Sequence, residues 1–235
     1  FVNGDTRIDC TVYQTAYSTP NVDIENGTNM IKETSLVMNI ELKKHLISNE
    51  LGGLEFLCSI PGVIGGSVKT NAGCFGKEVK DVINSAQIIN GNGEIKTIDV
   101  KDLELDYRTS CFPEDWIILS ITFNAVKDSK ENIEKTLAEH KAYRQANQPY
   151  NQKTAGSTFK NPKGLRAWEL IKKSGCDSLV VGGAKVSDKH CNFLINTGNA
   201  TAKDIETLGE NIISQVRQKT YITLEWEVKR VGIDK

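Results

Sequence analysis

Five glycines within residues 53–73 constrain the fold of this 235-residue chain more than any other feature. The segment reads Gly-Leu-Glu-Phe-Leu-Cys-Ser-Ile-Pro-Gly-Val-Ile-Gly-Gly-Ser-Val-Lys-Thr-Asn-Ala-Gly. Glycine disfavours long regular elements, and it lets the backbone approach another element or a ligand and point N–H groups at phosphate oxygens. The spacing matches neither a Walker loop nor a Gly-x-Gly-x-x-Gly fingerprint. Two interpretations of this segment therefore stay open, tight packing between elements and phosphate binding.

Hydrophobic periodicity around this segment predicts both helices and strands. Residues 41–49 have helical spacing and are expected to end at Gly52-Gly53, and residues 83–98 form a hairpin pattern around Asn-Gly-Asn-Gly. Further strands are predicted at 7–13, 116–123, 191–196 and 221–231, and turns at Asn26-Gly27 and 182–187. Helices are predicted at 133–146, 167–171 and 201–218, and Thr201 with Asp204 predicts a capping box at the start of the last one. The last two strands are expected to alternate buried and exposed residues, which would put Glu227 on the polar face.

Composition excludes several classes of partner. The net charge is −1 and Lys and Arg are not clustered, so neither a nucleic-acid surface nor a membrane surface is predicted. The longest apolar runs are shorter than the roughly 18 residues of a membrane span, and no signal peptide pattern opens the chain. The six cysteines are spread singly, without metal-ligand spacing. We therefore expect a reduced, cytoplasmic protein with no metal site.

Residues 153–162, Lys-Thr-Ala-Gly-Ser-Thr-Phe-Lys-Asn-Pro, concentrate hydroxyl, amide and cationic groups in a stretch with little apolar surface. Taken alone, such a stretch is an ordinary polar turn, because Gly, Ser, Asn and Pro are the usual turn residues. Arg108, Glu227 and His190 likewise have ordinary explanations as solvated or structural side chains. The order in which these pieces occur changes the interpretation.

Seven motifs follow one another: Gly-Leu-Glu-Phe-Leu, Ile-Pro-Gly-x-x-Gly-Gly, Asn-Ala-Gly, Tyr-Arg-x-Ser, Ala-Gly-Ser-x-Phe-Lys-Asn-Pro, Gly-Gly-Ala-x-Val-Ser-x-x-His and Leu-Glu-x-Glu-Val. Together, from about residue 35 to 232, they resemble the UDP-N-acetylenolpyruvoylglucosamine reductase (MurB) family. The resemblance implies a cytoplasmic flavoenzyme of peptidoglycan synthesis. It implies an α+β fold, with an FAD-binding region of the PCMH or vanillyl-alcohol-oxidase type followed by an α+β substrate domain. The polar stretch 125–132 is the best junction, which gives domains 1–125 and 126–235.

The resemblance also implies a site. NADPH reduces FAD, the reduced flavin passes hydride to UDP-N-acetylglucosamine enolpyruvate, and a serine, here Ser157, protonates the neighbouring carbon. Arg108 would sit near the substrate carboxylate, and Glu227 would be the third catalytic residue. The glycine-rich segment would lie along the FAD through Ile60, Pro61, Gly62, Gly65, Gly66, Asn71, Ala72 and Gly73. Contacts with the substrate are expected from Tyr107, Arg144, Lys160 and Asn161. No obligate protein partner is indicated.

The chain departs from the family pattern in places. The family's Gly-x-Gly-Ser-Asn pyrophosphate loop is not found, and the chain opens on Phe1, so about the first quarter of a full-length protein is expected to be missing. Asn147-Gln148-Pro149 replaces the usual Lys-Gln-Pro, which would move a phosphate-binding charge to Arg144. Only 49 positions separate Arg108 from Ser157, as in the shorter type II form. Two alternatives remain: another flavin oxidoreductase of the same fold, and a non-catalytic module that binds a UDP-sugar or nucleotide.

Overall fold

A computed structural model describes residues 23–24 and 29–232. The predicted strand at 7–13 and the predicted Asn26-Gly27 turn lie outside these residues. The described chain divides into two compact units, an N-terminal unit that ends at Tyr143 and a C-terminal unit that starts at Arg144. The division lies further along than the junction expected from composition, because Ile133 and Leu137 pack on the N-terminal core. The domain limits 1–125 and 126–235 stay a prediction.

The N-terminal unit mixes short helices with strands. Its elements are β1 (Asp23–Ile24), β2 (Met30–Thr34), α1 (Leu42–Asn49), β3 (Leu51–Gly52), α2 (Glu55–Cys58), α3 (Ile64–Lys69), β4 (Gly73–Cys74), β5 (Lys77–Glu78), β6 (Ile83–Ile89), β7 (Ile95–Asp99), β8 (Leu105–Asp106), β9 (Thr109–Ser110), β10 (Ile117–Asn124), β11 (Val126–Lys127) and α4 (Lys130–Asn147), which continues past the division. Single 3-10 turns lie at Asn39–Glu41, Val79–Asp81 and Val100–Asp102.

The framework of this unit is a five-stranded antiparallel sheet in the order β1-β2-β10-β6-β7. The predicted hairpin at 83–98 is confirmed as β6 and β7, and the predicted strand at 116–123 is confirmed as β10. Every second residue of β2 is buried, which puts Ile31 and Glu33 on the core side. One face of the sheet therefore packs with the apolar sides of α1 and α2 in a single core.

Helix α1 confirms the predicted helix at 41–49, but its end differs from the prediction. Glu50, and not the glycines that follow it, adopts the left-handed conformation with φ +54°. The Glu50 N–H reaches the carbonyls of Leu46 and Ile47, which closes the helix. At Gly52 the backbone instead packs closely against the Glu55 side chain, since a Cβ there would lie 2.8 Å from the Glu55 carboxylate.

The C-terminal unit is smaller and has its own core. After the end of α4 it contains α5 (Ala167–Lys173), β12 (Val180–Val181), β13 (Ala184–Val186), β14 (Leu194–Asn196) and α6 (Ala202–Thr220). Strands β12, β13 and β14 form an antiparallel sheet in that order. Helix α6 confirms the predicted capping box, in which Thr201 accepts from the Asp204 N–H at 3.1 Å and Asp204 accepts from the Thr201 N–H at 2.9 Å.

Two strand predictions in this unit were wrong in part. Residues 191–196 do not alternate, because all six are buried between neighbouring elements, and only Leu194–Asn196 is a strand. Residues 221–231 do not form a strand. They are an extended segment with one bridge, between Phe159 and Trp226, because its neighbour is the polar loop 153–162 and not a regular strand.

Candidate active site

The loop 153–162 lies between two neighbours in the C-terminal unit. Ser157 forms a bridge with Phe193 on one side, and Phe159 forms one with Trp226 on the other. Gly156 adopts φ +91°, and nothing lies within 4 Å of the position its Cβ would take. A residue with a side chain would be strained at this φ, so glycine sets the turn that presents Ser157.

Asn192 forms hydrogen bonds with the backbone on one side of this loop, where a neighbouring strand would otherwise form them. Its side-chain oxygen accepts from the Phe159 N–H at 3.0 Å, and its amide nitrogen donates to the Phe159 carbonyl at 2.8 Å. Its own carbonyl accepts from the Thr158 N–H at 2.7 Å. Asn192 is only 4% exposed, so these bonds are shielded from water. Asn192 was not among the residues predicted from the sequence, although a polar amide within an apolar run is a usable signal.

The structure places the Ser157 loop beside the segment that carries Glu227. The Glu227 N–H donates to the carbonyl of Thr158, the residue after Ser157, at 2.8 Å. Both Ser157 and Glu227 are half-buried, so the expectation of a fully solvated Glu227 was wrong. The extended segment turns partly inward at this point, because residues 226–228 all have intermediate burial.

Lys160 and Asn161 hold the far end of the loop. The Lys160 N–H donates to the Glu225 carbonyl at 2.8 Å, and its Nζ lies 3.7 Å from the Glu225 carboxylate in a largely exposed ion pair. The Asn161 side-chain oxygen accepts from the N–H of Ala167, the first residue of α5, at 2.9 Å. Asn161 therefore satisfies a donor at a helix start as well as occupying a predicted substrate position.

Arg108 lies in the N-terminal unit, in the turn between β8 and β9, with φ +55°. Its guanidinium donates to the Gly73 carbonyl at 3.0 Å and to the Asn71 carbonyl at 3.4 Å. It also lies 5.0 Å from the centre of the Tyr107 ring. Two carbonyls and one aromatic face thus fix a half-buried cation against the glycine-rich segment.

Asn71 is a brace inside that segment. It is fully buried, and its amide nitrogen donates to the Asp106 carbonyl at 2.9 Å and to the Glu78 carboxylate at 3.1 Å. Its side-chain oxygen accepts from the Lys80 N–H at 2.9 Å. With the side chain engaged in this way, Asn71 can offer a ligand only its backbone.

The predicted cofactor-binding glycines divide into two kinds. A Cβ on Gly65 would lie 2.8 Å from the Cβ of Ser35, and one on Gly73 would lie 2.7 Å from the Cγ of Glu78, so both are required for internal packing. Gly62, at φ +117°, has nothing within 4 Å, and Gly66 has only a Val63 methyl at 3.8 Å. Both open glycines are exposed, so they leave a cradle that side chains would fill.

The other predicted contacts beside the glycines have structural bonds of their own. The Ile60 carbonyl accepts from the buried Asn39 amide at 3.0 Å, and the Ala72 N–H donates to the Ser67 carbonyl at 2.8 Å. Pro61 is exposed next to Gly62.

Arg144 lies in the last turn of α4. Its Nε is buried and has no hydrogen-bond partner within residues 29–232. Lys189 extends to the same turn, where its Nζ donates to the Gln145 carbonyl at 2.9 Å. Two basic residues therefore belong to this helix end, and only Arg144 was predicted from the sequence.

His190 lies beside Asn192 in the C-terminal unit. Burial lowers the pKa of His190, whose Nδ1 accepts from the Asn192 N–H at 3.3 Å, so it is a neutral structural acceptor. Within the described residues, no group of three or more His, Cys, Asp or Glu side chains could hold a metal ion. In the same residues no helix is both long and apolar enough to cross a membrane.

The predicted site residues thus fall in both units. Arg108, Tyr107 and the glycine-rich segment belong to the N-terminal unit, and Arg144, Ser157, Lys160, Asn161 and Glu227 belong to the C-terminal unit. Contacts within each unit join Arg108 to Asn71 and Gly73, and join the Ser157 loop to the Glu227 segment.

Comparison with known proteins gives one consistent family. Residues 148–231 match the family described as UDP-N-acetylenolpyruvoylglucosamine reductase, C-terminal domain. Proteins of that name are 48% identical over 183 residues in Paramagnetospirillum magneticum and 43% identical over 211 residues in Acidiphilium cryptum. The matches cover 78% and 90% of this chain, and 60% and 68% of those relatives. The chain therefore spans roughly two thirds or less of their length.

A solved structure agrees with these relatives. The crystal structure of UDP-N-acetylenolpyruvylglucosamine reductase (MurB) from Thermus caldophilus superposes with a TM-score of 0.74 at 32% identity. The match covers 83% of this chain and 70% of that one. The mixed helix and strand content and this similarity confirm the predicted α+β fold.

Proposed function

Because this chain belongs to the UDP-N-acetylenolpyruvoylglucosamine reductase family, we propose that the complete protein reduces UDP-N-acetylglucosamine enolpyruvate to UDP-N-acetylmuramate. NADPH is the electron source and FAD the carrier, in the cytoplasmic stage of peptidoglycan synthesis. The observation that carries the proposal is the backbone pairing of the Ser157 loop with the Glu227 segment. It places the loop that carries Ser157 beside the segment that carries Glu227, and both residues are half-buried.

The glycine-rich segment is suited to an extended cofactor. The exposed, open backbone at Gly62 and Gly66 leaves room for close approach, and Pro61 and Ala72 border it, in an FAD-binding region of the PCMH type. Ile60, Gly65, Asn71 and Gly73 shape this backbone through their internal contacts. Bound FAD would accept hydride from NADPH and supply it to the substrate alkene.

Arg108 stabilises charge on the substrate. Hydride addition to an unsaturated carboxylate moves negative charge towards the carboxylate oxygens, and a cation fixed in advance is worth a few kcal/mol. The Asn71 and Gly73 carbonyls orient the guanidinium before the substrate arrives, so little reorganisation is needed. The ring of Tyr107 supports the same cation from its face and borders the substrate.

Ser157 supplies the proton. Its hydroxyl transfers a proton to the alkene carbon next to the one that receives hydride, so the double bond takes up one hydride and one proton. An alcohol is a weak acid, and Lys160, three residues along the same loop, stabilises the oxygen that remains. Glu227 holds the substrate in register beside Ser157.

The remaining predicted residues bind the substrate away from the reacting bond. Arg144 has an unsatisfied buried Nε, which suits it to the diphosphate. Asn161, whose side-chain oxygen is bound to the start of α5, would contact the sugar. No metal, nucleic acid, membrane or obligate protein partner enters this proposal.

The experiment is a pair of half-reactions on the complete protein. Ser157→Ala should leave flavin reduction by NADPH within about twofold of wild type. It should slow flavin reoxidation by the enolpyruvate substrate by about 10²–10⁴-fold, the usual contribution of a proton donor. Ser214→Ala, which removes an exposed hydroxyl on α6, is the matched control and should change neither rate.

Two outcomes would reject parts of the proposal. A colourless wild-type protein without substrate-dependent NADPH oxidation would reject the reductase function. If both half-reactions fell together in Ser157→Ala, the proton-donor role would be wrong. The alternative of a nucleotide-binding module predicts UDP-sugar binding without turnover, and an oxidase of the same fold predicts rapid reoxidation by oxygen.

A further inference from the structure

Trp226 stands between the two glutamates of the C-terminal motif Leu-Glu-Trp-Glu-Val. Its ring lies directly on the backbone of α6. At Gly209, a Cβ would overlap the outer edge of the indole six-membered ring. Gly209 is buried within α6, between the core residues Leu208 and Ile212. Glycine costs about 1 kcal/mol relative to alanine inside a helix, so its presence here calls for a packing reason.

The indole is fixed from three other sides. Its Nε1 donates to the Glu210 carboxylate at 3.0 Å, and the Arg230 guanidinium lies 5.1 Å from the ring centre. Arg230 also donates to the Glu210 carboxylate at 3.2 Å, which closes a small polar frame around the indole. On the inner side the ring contacts Phe159, with the ring centres 5.2 Å apart. These contacts together fix the orientation of the Trp226 ring.

Trp226 also lies at the centre of the backbone pairing between the Ser157 loop and the Glu227 segment. The carbonyl of the residue before it, Glu225, accepts from the Lys160 N–H, and the N–H of the residue after it, Glu227, donates to the Thr158 carbonyl. Any displacement of the indole from α6 must pull on both bonds at once. The Phe159 bridge transmits that displacement to Ser157, two residues away.

We propose that Gly209 and Trp226 form a positioning pair, in which the notch at Gly209 seats the indole and thereby sets the register between Ser157 and Glu227. Neither residue touches the reacting atoms. This inference rests on the proposed function for its catalytic consequence, but its structural consequence can be measured separately. Filling the notch should move the Glu227 segment relative to the Ser157 loop without disturbing the N-terminal unit.

A size swap tests the pair in the complete, FAD-loaded protein. Gly209→Ala should leave flavin reduction by NADPH within twofold and slow reoxidation by the enolpyruvate substrate at least tenfold. In the double variant Gly209→Ala with Trp226→Phe, the smaller ring makes room for the new methyl group. Reoxidation should then recover at least fivefold over Gly209→Ala alone. Trp168→Phe, elsewhere in the same unit, is the matched control and should react like wild type.

A readout that is independent of turnover is hydrogen exchange of the peptides that cover 157–160 and 224–228. Gly209→Ala should speed exchange there at least tenfold while the β6–β10 peptides stay unchanged, and the double variant should restore protection.

The proposal would be overturned if Gly209→Ala showed the exchange and reoxidation rates of the wild type. It would also be overturned if the double variant restored protection without restoring reoxidation. If Gly209→Ala does not fold, Trp226→Phe alone should slow reoxidation at least threefold and speed exchange of both peptides, and an unchanged variant overturns the proposal. Wild type that lacks substrate-dependent reoxidation would reject the function instead, and the exchange experiment would still test the pair.

Discussion

Replacing Glu33 by glutamine should stabilise the N-terminal unit at neutral and alkaline pH and have a much smaller effect at pH 5. Glu33 is fully buried on the core side of β2, opposite Ile121 of β10. Neither carboxyl oxygen has a hydrogen-bond partner among residues 29–232. Burial, with a smaller contribution from the charge of Glu41, raises the pKa of Glu33 from an ordinary 4.5 to about 8.

The direction of the effect follows from where the proton is held. Between pH 4.5 and 8 the folded protein keeps a proton on Glu33 that the unfolded chain has released, so stability falls as pH rises through this window. One unit of pKa shift corresponds to about 1.4 kcal/mol, which gives a cost of about 3 kcal/mol at pH 7 and somewhat more at pH 8. Glutamine has nearly the same shape and stays neutral, so it removes the cost.

Urea unfolding of the wild type and of Glu33→Gln, followed at pH 5, 6, 7 and 8, measures the difference. The two free energies of unfolding should agree within about 1 kcal/mol at pH 5 and separate by about 3 kcal/mol at pH 7. Glu104→Gln, an exposed carboxylate in the same unit, is the control and should follow the wild type throughout. Parallel curves for wild type and Glu33→Gln from pH 5 to 8 would refute the reasoning, because Glu33 would then titrate alike in both states.

Three further changes separate packing from ligand contact. Gly65→Ala should lower stability by about 1–3 kcal/mol, because its methyl group meets Ser35, and a thermal melt that matches wild type would contradict this. Gly66→Ala lies in the open part of α3 and should keep or raise stability while weakening FAD binding at least tenfold in a fluorescence titration. Unchanged FAD affinity would mean that the open face does not meet the cofactor. Thr201→Ala should cost about 1 kcal/mol in urea unfolding through loss of the α6 cap, and a loss below about 0.3 kcal/mol would show that the cap is dispensable.

Local patterns in the sequence were enough to predict several of the regular elements. The Asn-Gly-Asn-Gly turn with its flanking alternation predicted the hairpin of β6 and β7, and Thr201 with Asp204 predicted the start of α6. These signals are local because hydrogen bonds of turns and caps join residues that are close in sequence. The ordered motifs likewise predicted the family, since several weak signals in a fixed sequence constrain one another.

Features that depend on distant neighbours could not be predicted in this way. The extended segment 221–231 has the alternation of a strand, but only the loop opposite it decides that it forms a single bridge. From the sequence alone, Glu33 is an ordinary charged residue of a strand, and only the fold shows that it is buried. Gly209 had a detectable signal, because a glycine inside an amphipathic helix indicates close packing even when the partner, Trp226, is not yet known.

The anchoring of Arg108 would make the two proposed binding events interdependent. Its guanidinium is held by carbonyls of Asn71 and Gly73, so the cation proposed for the substrate is tied to backbone proposed for the cofactor. A ligand that orders this backbone also orders the cation, and thermodynamic linkage requires the reverse effect to have the same size. Occupancy of the glycine-rich segment would thus raise affinity for an anionic substrate before any electron moves. The protein would thereby favour binding its second ligand only when the carrier of the electrons is already in place.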